Sequence, residues 1–267
     1  MIDTSSGLPF DVLQPDWLGM PSRVKAFATL RAGGVSVGPF GGIDGVNGFN
    51  LGDHVADDPL AVASNRQRLN ACLPSDVIFL SQVHGNIVAR AEGMPAGLNA
   101  DAVVASTPGV VCAVLTADCL PVLFSDEDGG VVAAAHAGWR GLSAGILENT
   151  VREMRSCGAG KISAWMGPAI GPLKFEVGQD VYDIFATQDK EVRRFFVKIA
   201  SEGGSGLQQK YLADIYQLAR HVLSNVGVMQ VTGGYCCTVN DAQQFYSYRR
   251  DRVTGRMVSL IWIDPTE

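Results

Sequence analysis

Histidine is scarce in this 267-residue chain, which carries only His54, His84, His136 and His221. A multicopper centre needs many imidazoles, so four of them cannot build one. Cysteine is sparse and unpatterned as well. The six, at positions 72, 112, 119, 157, 236 and 237, form no C-x-x-C pair and lack the dense spacing of a secreted disulfide scaffold, which fits a reducing compartment. Positive charge is in deficit: 21 Lys and Arg against 27 Asp and Glu leave a formal net charge of -6. A nucleic-acid partner is thereby disfavoured, because neutralising phosphates takes clustered cations, and small molecules become the expected substrates. No apolar run reaches the roughly 18 residues of a membrane span, and the start Met1-Ile2-Asp3-Thr4 has neither the basic nor the apolar part of a signal peptide. A cytoplasmic protein with no membrane association is expected. The glycine-rich stretch 33–48 matches neither G-x-G-x-x-G nor G-x-x-x-x-G-K-[ST], so it reads as turns, and 201–206 reads as a flexible surface loop.

What is present is apolar and finely divided. Hydrophobic residues make up 47% of the chain with no Pro- or Ser-rich linker, so one domain over residues 1–267 can bury a substantial core. Short β-type runs recur at 24–30, 77–80, 87–91, 102–105, 110–115, 122–124, 131–135, 162–166 and 257–263. Helical spacing of apolar residues predicts helices at about 142–156 and 209–225, with two more near 60–72 and 179–187. Strands outnumber helices and do not alternate strictly with them. The expected fold is therefore α+β, a layered sandwich, rather than a Rossmann-type sheet.

Three residues beside these runs carry chemistry. His84 lies in Ser81-Gln82-Val83-His84-Gly85, Cys119 in Thr116-Ala117-Asp118-Cys119, and His136 in Ala134-Ala135-His136-Ala137-Gly138-Trp139-Arg140. Each alone reads as a buried core residue, since free Cys and self-satisfied His are common in interiors. Together, two imidazoles and a thiolate make a three-ligand zinc site with one coordination position open to water or substrate. Asp118 sits in an otherwise apolar stretch and needs a partner. Adjacent strand side chains point to opposite faces, so Asp118 is expected behind the site, accepting an imidazole N–H.

Longer motifs carry a resemblance. They include Thr29-Leu30-Arg31-Ala32-Gly33-Gly34, Asn50-Leu51-Gly52-Asp53-His54-Val55, Asn65-Arg66, Gln82-Val83-His84-Gly85, His136-Ala137-Gly138-Trp139-Arg140-Gly141, Gly167-Pro168-Ala169-Ile170-Gly171-Pro172 and Tyr246-Ser247-Tyr248-Arg249-Arg250. In these the chain resembles the laccase-domain (YfiH-like) family, whose members carry the names polyphenol oxidase, peptidoglycan editing factor and purine nucleoside phosphorylase. One departure is Leu173-Lys174 where the family often has a cysteine. The resemblance implies a mixed-sheet α-β-β-α sandwich and metal ligation by His84, Cys119 and His136, with copper as a possible substitute for zinc. It also implies phosphorolysis of adenosine, inosine and methylthioadenosine, while an open zinc position suits deamination of adenosine. Phosphorolysis needs an anion cradle, for which Arg140, at a predicted helix start, is the first candidate and Arg31 the second. Gln82, Asn50 and Asp101 are the further candidates for substrate contact. Two alternatives stay open: a metal-free hydrolase using Cys119 and His136 on peptidoglycan precursors, and a copper-dependent polyphenol oxidase. The sequence sets no oligomeric state.

Overall fold

The computed structural model describes residues 2–3, 7–199 and 209–266. Five strands form an antiparallel sheet in the order β1-β2-β3-β15-β7: β1 (Ile2–Asp3), β2 (Val12–Leu13), β3 (Val24–Thr29), β7 (Cys112–Thr116) and β15 (Met257–Ile263). Six more form a mixed sheet in the order β14-β10-β8-β9-β6-β5: β5 (Val88–Arg90), β6 (Ala102–Ala105), β8 (Leu120–Asp126), β9 (Val132–Ala137), β10 (Ile162–Met166) and β14 (Gln230–Gly233). A three-stranded sheet of β11 (Glu176–Gly178), β12 (Phe196–Ile199) and β13 (Lys210–Ala213) stands apart, and β4 (Ala32–Ser36) opens the glycine-rich stretch.

The period-2 alternation of the strands builds three apolar layers. Cys112 and Val114 of β7 and Met257 and Ile261 of β15 face Val103, Leu123, Val132, Ala134 and Trp165 of the mixed sheet, so the two large sheets pack face to face. The outer face of the five-stranded sheet, with Phe27, Ala113, Leu115 and Val258, is covered by Leu69 of α1 (Pro59–Asn70) and by Phe49 and Leu51. The outer face of the mixed sheet buries α3 (Ile146–Ser156) and α5 (Ile215–Asn225). The order is helix, sheet, sheet, helix, as the sequence pattern and the resemblance imply.

The elements depart from expectation at identifiable places. The predicted helix 142–156 is two helices, α2 (Trp139–Ser143) and α3, broken at Gly145. Gly145 has φ 91°, a conformation that costs a residue with a Cβ about 1–2 kcal/mol. The predicted helix 209–225 begins too early: 210–213 is β13, paired on both sides, and Asp214 caps α5 by accepting the Gln217 N–H at 3.0 Å. The run 77–80 is no strand. Val77 and Leu80 are buried, but the one ladder contact there is a bridge between Ser81 and Asn99, because the segment faces a cavity instead of a neighbouring strand. The helices expected near 60–72 and 179–187 are α1 and α4 (Gln179–Gln188). Within 33–48, β4 takes the first residues, a 3-10 turn of helix spans Gly38–Phe40, and turns and bends follow; the loop 201–206 lies outside the described residues. A short α6 (Tyr248–Asp251) precedes β15.

Candidate metal centre and its cavity

The connection from β7 to β8 crosses from one large sheet to the other in three residues, 117–119. Such a step needs a sharp reversal, and Asp118 supplies it with φ 90°. Two hydrogen bonds hold that strained residue: Thr238 Oγ1 donates to Oδ1 at 2.5 Å and the Arg249 N–H to Oδ2 at 2.6 Å. The following residue, Cys119, is thereby placed at the mouth of the inter-sheet gap. On β9, Ala133, Ala135 and Ala137 join the outer core and Val132 and Ala134 the inter-sheet core, so alternation turns His136 to the same gap. His84 arrives on an irregular segment, also with a left-handed backbone at φ 59°.

Asp101 ties these pieces together. It is fully buried, and its Oδ1 accepts from the His84 N–H at 2.9 Å and lies 2.8 Å from His136 Nδ1. Its Oδ2 accepts from the N–H groups of Gly85 at 2.6 Å and Val83 at 3.3 Å. The β6–β9 register explains the placement: Ala102 pairs with Ala135, and the His136 N–H continues the ladder to the Asp101 carbonyl at 2.7 Å. A carboxylate on Nδ1 holds the proton there and leaves Nε2 for a ligand.

Burial would push the Cys119 thiol up, but the His136 charge and hydrogen bonds from both imidazoles outweigh it and bring it down to about 6. Burial likewise works against a charged His136, yet the Cys119 thiolate and the Asp101 carboxylate raise it to about 9. Burial opposes the Asp101 charge too, and the bond from His136 and the backbone N–H groups hold that carboxyl below its ordinary value. Both shifts run in the direction that favours a thiolate at Cys119 beside an imidazolium at His136.

The donor set fits a metal ion. Donor atoms of His84, Cys119 and His136 lie within 4.8 Å of one another, and the two rings meet edge to face with centroids 4.8 Å apart. Cys119 Sγ is 3.7 Å from His84 Nε2. A tetrahedral ion with bonds of about 2.0 Å to nitrogen and 2.3 Å to sulfur asks for donors roughly 3.5 Å apart. Among the described residues this is the group able to hold a metal. It opens onto a cavity of about 900 Å³ whose wall includes Phe79, Gln82, Thr116, Arg66, Arg256 and Tyr248.

The remaining expected site residues fall elsewhere or act differently. Gln82 lines the cavity, but both ends of its amide are engaged with the Leu115 backbone, at 2.8 and 2.7 Å, pinning the His84 segment to β7. Asn50 is fully buried, bonded to Gly52, Asp57 and the Arg256 N–H, so it cannot reach a substrate. Asp101 is equally inaccessible and positions the histidines instead. The imidazole N–H expected on Asp118 goes to Asp101. Arg31 donates to the carbonyls of Gly41 and Ala242 and lies over the Tyr246 ring, away from the cavity. Arg140 is exposed and stacks on Trp139, also outside the cavity wall. Arg66, Arg256, His54 and Tyr248 line it and were missed. All but Arg256 lie in motifs that carry the resemblance, and nothing in the spacing marked them as convergent.

A family model described as multi-copper polyphenol oxidoreductase laccase matches residues 25–264. The chain belongs to this laccase family. Purine nucleoside phosphorylase YfiH of Escherichia coli is 49% identical to this laccase-domain chain over 258 residues, covering 94% of the chain and 98% of the relative. A purine nucleoside phosphorylase of Haemophilus influenzae is 45% identical over 254 residues, covering 94% and 99%. A crystal structure of a Neisseria meningitidis protein superposes with a TM-score of 0.84 at 47% identity, covering 95% of this chain and 99% of that one. The word multi-copper in the family's description does not extend to the histidines of this laccase-domain chain: His221 sits on α5 with Nε2 2.6 Å from Asp189 Oδ2, apart from the cavity. That leaves too few imidazoles for a copper cluster.

Proposed function

We propose that the chain is a zinc-dependent purine nucleoside phosphorylase acting on adenosine, inosine and methylthioadenosine, with adenosine deaminase activity at the same centre. The observation that carries this reading is the convergence of His84, Cys119 and His136 on a cavity of about 900 Å³. The names of relatives 45–49% identical supply the reaction class. Phosphorolysis breaks the glycosidic C–N bond as a phosphate oxygen bonds to the ribose C1′, so nucleoside and anion must be held together. Small-molecule sites span roughly 300–1,000 Å³, and this cavity is at the spacious end. Bound zinc supplies Lewis acidity and an open coordination position. The protein's own part is positional: Asp101 fixes the His136 tautomer and the His84 backbone, and Gln82 fastens the cavity wall. Purine nucleosides and phosphate are the proposed partners, and six free cysteines accord with a cytoplasmic setting. Among the described residues no helix is long and apolar enough to cross a membrane.

One observation favours a second reading. The Cys119 thiolate, the His136 imidazolium and the Asp101 carboxylate also form the triad of a thiol hydrolase. Metal content separates the two. Protein purified without chelators is expected to carry about one zinc per chain, and Cys119→Ala to lose it while keeping its circular dichroism spectrum. A wild-type preparation free of zinc and other transition metals, yet active, would give the site to the thiol hydrolase.

A further inference from the structure

With Arg140 and Arg31 outside the cavity, the positive charge on its wall comes from two other guanidiniums. Arg66 donates from Nε to the Leu51 carbonyl at 2.9 Å, lies flat over the Phe79 ring at 4.1 Å, and pairs through Nη1 with Asp53 at 3.1 Å. Its Nη2 is buried and has no hydrogen-bond partner. Arg256 is fastened through Nη1 alone, to the carbonyls of Thr254 and Gly255, both at 3.0 Å; its Nε and Nη2 have no protein partner among the described residues. The Cys119 thiolate and then the Asp118 carboxylate act on the Arg256 charge from nearby, and both Asp118 oxygens are already taken by Thr238 and Arg249. Arg66 and Arg256 line the same cavity as Cys119 and His136.

Burial works against the Arg256 charge, and a buried cation with unused donors is costly unless an anion meets it. Burial first, then the Arg256 charge, push the His54 imidazole down, while Asp53 acts the other way. Among the described residues Asp53 is the acidic group paired with either arginine, and its carboxylate is 64% exposed.

We propose that Arg66 and Arg256 form the anion cradle of this cavity and that inorganic phosphate is its ligand. Phosphate presents several oxygens to forked N–H donors, which is the geometry guanidiniums serve best. The cradle deepens the phosphorylase reading and rests on it for the identity of the anion, while the placement of the cations stands independently. It also accounts for metal centre and cations opening onto one space: the anion waits beside the reacting ribose rather than at a distant surface.

The test is titration of metal-quantified protein with inorganic phosphate in the absence of nucleoside, followed by calorimetry, for the wild type, Arg66→Gln, Arg256→Gln and, as a charge control on α3, Arg152→Gln. Each cavity variant is expected to weaken phosphate binding about tenfold or more, as loss of a charge-assisted contact does, and the control to leave it unchanged. Because both arginines also touch the fold, the wild-type chain provides a second readout. Phosphate is expected to slow phenylglyoxal modification of Arg66 and Arg256, read by mass spectrometry, and to leave Arg152 reacting at its former rate. If folded variants bind phosphate like the wild type, or if phosphate protects neither arginine, the cradle is overturned even when base release remains phosphate-dependent. If instead phosphate binds at the arginines but base release ignores it, the anion site stands and the phosphorylase reading falls.

Discussion

Asp101 accepts hydrogen bonds from three successive backbone N–H groups and from one metal-site imidazole, and it does so with no exposed surface. Asp101→Asn keeps the shape but turns an NH2 group towards N–H donors. Leaving such donors unmet costs about 1–3 kcal/mol of stability, and loss of a carboxylate behind a ligand histidine weakens metal binding by roughly 10–100-fold. Zinc affinity by chelator competition, with a thermal melt alongside, checks both, and unchanged affinity would show that Asp101 has no hold on the centre. At this scale the sequence pointed to the three residues that converge and said little about what supports them. His84, Cys119 and His136 stand out as polar residues at the ends of apolar runs. Asp101 and Asp118 look interchangeable as sequence, and only the pairing of Ala102 with Ala135 decides which one meets His136.

Gly138, between β9 and α2, shows how tightly the elements close around the centre. A Cβ built there lies 3.0 Å from Cys119 Sγ and 3.1 Å from His84 Cδ2, while its φ of -60° suits any residue. Gly138→Ala is therefore expected to spare the backbone and displace Cys119 and His84 by a few tenths of an ångström, lowering zinc affinity about tenfold or more with little loss of melting temperature. An equal fall in both would place the strain in the fold instead. Most elements were legible because β3, β7, β9, β10 and β15, buried on both faces, read as short continuous apolar runs, and α3 keeps its apolar stripe at helical spacing. The errors share a cause, which is that apolar runs do not announce their partners. Residues 210–213 continue the apolar stripe of α5 yet pair as a strand, and 77–80 pack one side into the core while the other lines the cavity.

For the whole molecule, two sheets packed face to face put one opening where β8 begins and β9 ends, and there His84, Cys119, His136 and the two cavity arginines collect. Nothing in the sequence couples Arg66 with Arg256, which lie far apart along the chain and reach one cavity wall only through tertiary packing. Four histidines, one of them on α5, also bear on redox chemistry: phenol oxidation is expected to need added copper and to remain weak. Oxygen-uptake assays with copper-free protein check this, and efficient oxidation there would contradict it. The central claim, a metal-centred nucleoside phosphorylase, meets its most direct test in the products formed from adenosine by metal-quantified wild-type protein, separated chromatographically with and without phosphate. Adenine and ribose 1-phosphate are expected only when phosphate is present, and deamination, read as inosine plus the hypoxanthine that phosphorolysis frees from it, in either buffer; adenine released undiminished in phosphate-free buffer would contradict phosphorolysis outright.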